Sequence, residues 1–195
     1  MASGTSTTKT NTAQRMLDTA EGLVQVRGFN GFSYADVADE LQITRASLHY
    51  HFRGKAELGH ALMTRYATRF AEALQGIDRD LPAPPQKLHA YVGLYRNVLE
   101  RDRMCLCGIL AAEYQTLPDA MREAITRFFE DNEIWLTDVL ARGQGDGSLS
   151  IDGPPRDTAQ MIVSGLEGAM LVARTHGGLT QFQSSTDRLL ASLIA

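Results

Sequence analysis

The segment ITRASLHYHF, Ile43–Phe52, contains many side chains of the kind that bind nucleic acid. Arg45 can donate two hydrogen bonds to a guanine edge. The hydroxyl group of Tyr50 suits a phosphate oxygen. A segment this short cannot form a hydrophobic core alone, so neighbouring elements must hold it in place.

Positive charge is concentrated locally in this sequence. The 195 residues hold 19 Lys and Arg against 23 Asp and Glu, and the net charge of −4 argues against a protein that coats nucleic acid. The stretch from Ile43 to Lys55 nevertheless has three cations and no acid, whereas residues 1–60 have six of each. This local excess is what contact with a phosphate backbone requires.

The spacing of apolar residues predicts three helices around this segment. The first is amphipathic and runs from Thr12 to a glycine stop at Gly28. Ser33 and Asp36 predict a capping box that opens a short second helix. Thr44 caps the third helix, on which Ala46, Leu48 and Phe52 are expected to face inward and Arg45, Ser47, His49, Tyr50 and His51 outward.

The remaining chain also predicts helices. A fourth runs from about Lys55 to Ile77, and the glycines and prolines of residues 143–155 exclude helix there. Other helices are expected over about 86–101, 104–116, 118–142, 156–175 and 179–193. The prediction is an all-α protein of about nine helices, with a flexible N-terminal arm at 1–11, a helix-turn-helix domain at 12–54, and a regulatory, ligand-binding and dimerisation domain at 55–195.

The run RGFNGFSYADVADELQITRASLHYHFRGKAELGHAL, Arg27–Leu62, resembles the tetracycline-repressor (TetR) family of transcriptional regulators. It has a Gly-Phe turn, a Ser cap, an alanine-containing second helix, and a third helix that ends in aromatic residues before a lysine. Ala46 stands where the family usually has Gly and His49 where it often has Tyr, so the base preference cannot be borrowed from relatives.

The resemblance implies roles for individual residues of the first domain. Arg45 and Ser47 approach base edges, Tyr50, His51 and Lys55 contact phosphates, and Ser33 and Tyr34 lie near the DNA backbone. Alternatives remain for three of them: Tyr50 and His51 could pack at the domain junction, and His49 could be exposed without a role. The predicted DNA-binding set is Ser33, Tyr34, Thr44, Arg45, Ser47, His49, Tyr50, His51 and Lys55.

The later helices are expected to form a dimer and an effector pocket, as the resemblance implies. Small residues within Met161–Ala173 leave a strip that lets another helix come close, although both last helices could be internal core. The predicted dimer residues are Gly165, Gly168, Ala169, Ala173, Phe182, Leu189, Leu190 and Leu193. The predicted pocket residues, which could also be plain core, are Met63, Tyr66, Phe70, Tyr91, Tyr95, Cys107, Leu110, Tyr114, Phe128 and Met170.

Cys105 and Cys107 are the two cysteines of the chain, and they raise a second hypothesis for the trigger. Residues at i and i+2 of a helix point about 200° apart, so a disulfide between them would require unwinding. Either thiol could sense oxidants or electrophiles, and the alternative is that both are small buried hydrophobes. A metal site is disfavoured because the CLC motif has no nearby His or second cysteine pair.

The function predicted from the sequence is a dimeric transcriptional repressor, bound to an inverted-repeat operator on double-stranded DNA and released by an unknown small-molecule effector. No cofactor, catalysis or membrane span is expected, and the reduced cysteines predict a cytoplasmic protein. The contrasting hypothesis is a helical carrier or enzyme that uses a central cavity, with Glu113 and Glu167 as paired carboxylates. Known catalytic motifs are missing from the sequence, which argues against it.

Overall fold

The computed structural model describes the backbone of residues 4–194 and the side chains of residues 12–194. This part of the chain has nine α-helices and one 3₁₀ turn, and its single β-type pairing is an isolated bridge between Leu149 and Ile194. The all-α prediction is therefore confirmed. The helices are α1 Gly4–Arg27, α2 Tyr34–Leu41, α3 Arg45–His51, α4 Lys55–Asp80, α5 Pro84–Leu99, α6 Leu106–Ala112, α7 Asp119–Asp146, α8 Pro155–Thr175 and α9 Gly178–Ala191, with the 3₁₀ turn at Tyr114–Thr116.

Helix α1 begins at Gly4 rather than at the predicted Thr12. The predicted arm at 1–11 is thus helical in its backbone from Gly4 onward, and residues 1–3 lie outside the described part of the chain. Ser and Thr lower helix propensity only slightly, and neither Gly nor Pro interrupts residues 5–21. The helix can therefore extend beyond its apolar stripe.

The prediction that residues 143–155 exclude helix is wrong at its start, because α7 continues to Asp146. Gly143 has a packing role inside that helix. A Cβ atom at this position would lie 2.3 Å from Cδ1 of Leu149 and 3.0 Å from Cβ of Pro84. Its carbonyl also accepts a 3.0 Å hydrogen bond from the amide of Leu149. The glycine lets the chain fold back closely against the helix.

The chain divides into two compact units. The first comprises the chain up to Tyr66 together with Leu106–Ile125, and the second comprises Ala67–Cys105 and the chain from Thr126 onward. The first unit is thus larger than the predicted helix-turn-helix domain at 12–54, because α6 packs against α1.

The core of the first unit is apolar, with an ion-pair cluster beside it. Met16, Val24 and Leu48 are fully buried. Arg65 of α4 bonds Asp18 and Glu21 of α1, each at 2.7 Å, and its side chain is 14% exposed. Because Arg65 is largely buried, these charge-assisted bonds tie α4 to α1 more firmly than exposed ion pairs would.

The second unit is built around α5, α8 and α9, which pack against one another. Its interior holds an aromatic cluster in which the hydroxyls of Tyr91 and Tyr95 lie 3.1 Å apart and Tyr91 donates to Oδ1 of Asn132 at 2.9 Å. Phe70 contacts both tyrosines edge-on, and Trp135 stacks on Tyr91 with the ring centroids 5.5 Å apart.

The packing of Gly143 predicts opposite effects for two glycines of the same helix. Gly143→Ala should lower the free energy of unfolding by about 1–3 kcal/mol, because its methyl group overlaps Leu149 and Pro84. Gly145→Ala should raise it by about 0.5–1 kcal/mol, because a Cβ there meets nothing within 4 Å and alanine favours helix. Urea unfolding followed by circular dichroism measures both. Equal effects of the two changes would contradict the packing role.

Candidate nucleic-acid interface

Helix α2 begins with the predicted capping box. The Ser33 hydroxyl accepts from the Asp36 amide at 3.4 Å, and the Asp36 carboxylate accepts from the Ser33 amide at 2.6 Å. The hydroxyl also donates to that carboxylate at 2.7 Å. The hydrogen bonds from Ser33 lower the pKa of Asp36, so the cap loses strength only as the pH falls toward that pKa.

The turn between α2 and α3 has a left-handed residue that is not glycine. Gln42 adopts φ 55° and ψ 43°, and its amide bonds the carbonyls of Ala38 and Asp39. Ile43 then donates to the Ala38 carbonyl at 2.9 Å. These bonds satisfy carbonyls at the end of α2 and leave three residues, 42–44, between α2 and α3.

Helix α3 starts at the predicted cap, where the Thr44 hydroxyl accepts from the Ser47 amide at 3.2 Å. Leu48 and Phe52 are buried as predicted, but Ala46 is exposed. The inward prediction for Ala46 is wrong because it lies two residues, about 200°, from Leu48 and so points away from the core.

The outward side chains of α3 fall into two groups. Arg45, His49 and Tyr50 are exposed, Tyr50 at 67% of its surface. Ser47 and His51 are half-buried, and the ring of His51 meets Tyr50 edge-on at 5.3 Å. The groups available on α3 are thus a guanidinium, an imidazole and a phenol hydroxyl.

Tyr34 and His49 pack against each other and lock the end of α3. The Tyr34 hydroxyl donates to the Phe52 carbonyl at 3.1 Å, and its ring lies 5.0 Å from that of His49. Burial, with a smaller effect of the Glu57 charge, raises the pKa of Tyr34 to about 12. Nδ1 of His49 donates to the Arg53 carbonyl at 3.3 Å, because a carbonyl oxygen can only accept. The hydroxyl hydrogen of Tyr34 is therefore engaged in a hydrogen bond within the protein.

Lys55, predicted to contact phosphate, lies over two aromatic rings. Its ammonium group is 4.6 Å from the ring centre of Phe29 and 4.5 Å from that of Phe32. Burial lowers the pKa of Lys55, and the charges of Glu113 and Asp36 partly offset this. The half-buried cation stabilises the aromatic pair at the turn after α1.

Glu113 holds that turn in place. Its Oε2 accepts from the Phe29 amide at 2.6 Å and its two oxygens accept from the Asn30 amide at 3.3 Å. The Asn30 side chain also donates to the Thr116 hydroxyl at 2.7 Å. Gly28 adopts φ +80°, and a Cβ there would lie 2.6 Å from Glu113 Oε1, so both backbone and space require glycine. The sequence analysis missed this role, because these residues are more than 80 positions apart and no local pattern joins them.

The structure divides the predicted pocket residues between the two units. In the first, Met63, Tyr66, Cys107 and Leu110 are buried, but Tyr114 is 36% exposed and lies 6.0 Å from the Arg122 guanidinium. Tyr114 belongs to the short 3₁₀ turn after α6, which turns its ring outward. In the second unit Tyr91, Tyr95, Phe128 and Met170 are buried and Phe70 is half-buried.

The predicted dimer residues differ in burial, whereas the two cysteines do not. Four of the predicted dimer residues are buried inside the single chain, namely Ala173, Phe182, Leu190 and Leu193. The prediction that these four form a dimer surface is therefore wrong. Ala173, Phe182 and Leu190 lie on the sides of α8 and α9 that face the core of the second unit, and Leu193 follows the end of α9. Gly165 and Gly168 are exposed, and Ala169 and Leu189 are half-buried. Cys105 and Cys107 are both buried, and neither forms a disulfide.

Two further findings concern the described residues. None of the helices is long and apolar enough to cross a membrane. No group of three or more His, Cys, Asp and Glu side chains in the described part is placed to hold a metal ion.

Comparisons with known proteins agree with this geometry. Residues 16–62 match the family model for bacterial regulatory proteins of the TetR family, and residues 84–189 match the tetracyclin repressor-like C-terminal domain. A TetR-family regulator structure from Agrobacterium tumefaciens superposes with a TM-score of 0.92 at 31% identity, covering 96% of this chain and all of that one.

Two curated relatives are also regulators. The transcriptional regulator AcuR of Cereibacter sphaeroides is 29% identical over 153 residues, 76% of this chain and 69% of AcuR. The HTH-type transcriptional repressor NemR of Escherichia coli is 27% identical over 176 residues, 86% of each chain. The chain therefore belongs to the TetR family, and it is a DNA-binding transcriptional regulator with a helix-turn-helix domain.

The Glu113 contacts predict a loss of stability when its carboxylate is removed. Glu113→Ala should lower the free energy of unfolding by about 1–3 kcal/mol, because the Phe29 and Asn30 amides lose their acceptor. Glu113→Gln keeps one acceptor oxygen and should lose less. Denaturant unfolding gives the values, and Glu72→Ala, which removes an exposed carboxylate, is the control. A loss in Glu113→Ala no larger than in the control would contradict the role.

Proposed function

We propose that this protein is a dimeric repressor that binds an inverted-repeat operator through α3. The observation that supports it best is the outward face of α3, where Arg45 and Tyr50 are exposed while Leu48 and Phe52 anchor the helix. Arg45 suits a guanine edge, and the Tyr50 hydroxyl suits a phosphate oxygen. Lys55 remains a proposed phosphate contact, made by an N–H group of its ammonium that does not point at the rings of Phe29 and Phe32.

Exposed apolar side chains on α8 support a dimer. Met161, Leu171 and Val172 are 48%, 60% and 44% exposed, and Gly165 and Gly168 leave a shallow strip on the same helix. A second copy that packs on this surface would bury these side chains, and two-fold symmetry would set the two α3 helices about 34 Å apart. An inverted repeat with half-sites one DNA turn apart matches that spacing.

Release from DNA requires an effector that prefers a form of the dimer with the wrong spacing. We place this effector at the aromatic cluster of the second unit, around Tyr91, Tyr95 and Phe70, and its chemical class stays open. Release by this route needs no covalent change.

A second trigger is chemical modification of a cysteine. Cys105 is buried, and its influence raises the pKa of the Glu167 carboxyl, which is raised mainly by burial. Cys107 is also buried and keeps its place in this hypothesis. Modification of either thiol would change the packing of the interior and thereby the spacing of the DNA-binding helices.

The proposed function predicts the outcome of selection from fragmented genomic DNA. Pulldown with the purified protein should enrich a site with inverted-repeat symmetry, and its affinity should fall steeply with salt. Sequencing of the bound fragments and titration at several salt concentrations measure this. Enrichment of sequences without two-fold symmetry would contradict the proposal.

Two variants of α3 should separate base reading from phosphate contact. Arg45→Ala should cost about 1–3 kcal/mol at one base position and relax discrimination there. Tyr50→Phe removes one hydroxyl and should weaken binding to all sequences by about 0.5–1.5 kcal/mol.

Fluorescence anisotropy with the selected site and single-base variants of it measures both effects. Arg79→Ala is the control, since it removes an exposed cation of α4 that bonds its neighbour Asp80. Equal discrimination by wild type and Arg45→Ala would contradict the base-reading role.

A further inference from the structure

His49 is an exposed residue of α3, yet two contacts hold its ring in one orientation. Its Nδ1 donates to the Arg53 carbonyl at 3.3 Å, and its ring centre lies 5.0 Å from that of Tyr34. The Tyr34 ring is fixed in turn, because its hydroxyl donates to the Phe52 carbonyl at 3.1 Å. These contacts restrict a ring rotation that is ordinarily fast for an exposed side chain.

The bond to Arg53 also decides which ring nitrogen of His49 carries the hydrogen. A carbonyl oxygen can only accept, so Nδ1 of the neutral imidazole is the N–H group and Nε2 carries the lone pair. Within the described part of the chain, no group forms a hydrogen bond to Nε2. The neutral ring therefore offers a single hydrogen-bond acceptor on an exposed residue of α3.

This acceptor lies on the same face of α3 as the proposed reader of guanine. Arg45 and His49 are both exposed and are four residues apart, so they lie about one helical turn from each other. Four residues rise about 6 Å along the helix, which is close to two base-pair steps of about 3.4 Å. In the major groove, His49 would thus face a base within about two pairs of the one that Arg45 reads.

We infer that His49 reads an exocyclic amino group in the major groove, on adenine or cytosine, through the lone pair of Nε2. This inference rests on the proposed function and adds a base preference to it. Adenine presents N6–H and cytosine N4–H in that groove, whereas guanine and thymine present only acceptors and a methyl group. Guanine O6 or thymine O4 opposite Nε2 would bring two acceptors together, and neither would gain a hydrogen bond.

Histidine at this position gives a narrower base preference than tyrosine would. The tyrosine that the family often has here carries a hydroxyl, which both donates and accepts and can therefore bond to any of the four bases. The neutral imidazole of His49, with its N–H group engaged at Arg53, can only accept. The preference of this protein should therefore differ from that of relatives with tyrosine.

The test uses base analogues, since every base pair carries one amino group in the major groove and an ordinary substitution changes several groups at once. Near the base that Arg45 reads, adenine is replaced by purine and cytosine by 2-pyrimidinone, which lack only the amino group. His49→Phe keeps a ring beside Tyr34 but removes both nitrogens. His89→Phe is the control, because it makes the same change at an exposed residue of α5 in the second unit.

Fluorescence anisotropy with the purified full chain and the selected operator measures the affinities. At one position, loss of the amino group should weaken wild-type binding about three- to tenfold, the value of one hydrogen bond, and His89→Phe should show the same loss. In His49→Phe the loss should be below about twofold. The analogue also weakens its own base pair, but it does so equally for all three proteins, so the comparison isolates the contact.

Three results would overturn the inference. They are a wild-type series in which no amino group matters, an amino dependence that persists in His49→Phe, and a guanine or thymine preference that His49→Phe removes. The wild-type series uses unaltered protein, so the first result counts whatever the fold of the variant. An inverted repeat without an amino-dependent position contradicts this inference alone, whereas selection without two-fold symmetry contradicts the proposed function.

Discussion

The turn between α1 and α2 depends on one carboxylate that arrives from far along the chain. Glu113 accepts from the amides of Phe29 and Asn30, and these bonds join residues 84 and 83 positions apart. The left-handed Gly28 leaves the space that the carboxylate occupies. Helices α2 and α3 follow this turn, so its geometry sets where they begin. The Glu113 carboxylate thus ties the end of α6 to the turn that precedes both helices.

Helix α3 is stable because neighbouring parts of the chain hold it. A helix of seven residues is unstable in water by itself, since nucleation costs more than so few hydrogen bonds return. Thr44 caps its start, Leu48 is buried in the core, and the Tyr34 hydroxyl bonds the carbonyl of Phe52 at its end. Packing and capping supply the stability, and Arg45 and Tyr50 remain exposed on the outer face.

Two kinds of buried polar group lie in the second unit, and they differ in how they are satisfied. Tyr91, Tyr95 and Asn132 form a connected network in which each side chain has a partner. The carboxyl oxygens of Glu167 are also buried, and burial, with the neighbouring Cys105, raises the pKa of this acid. A satisfied network makes the interior rigid, whereas a buried carboxyl outside such a network is costly to ionise.

The sequence by itself determined what depends on neighbours within a few residues. The helical periods, the Ser33 and Thr44 caps and the cation-rich segment around Arg45 are local patterns, and they sufficed for the fold class and the family. Only the tertiary structure decided what depends on distant residues. Glu113 at the turn, Lys55 over two rings, the helical Gly143 against Leu149, and the inward Phe182 and Leu190 all result from packing between segments that no local pattern joins. Burial and partners set the roles of these side chains, and both arise only when the chain is folded.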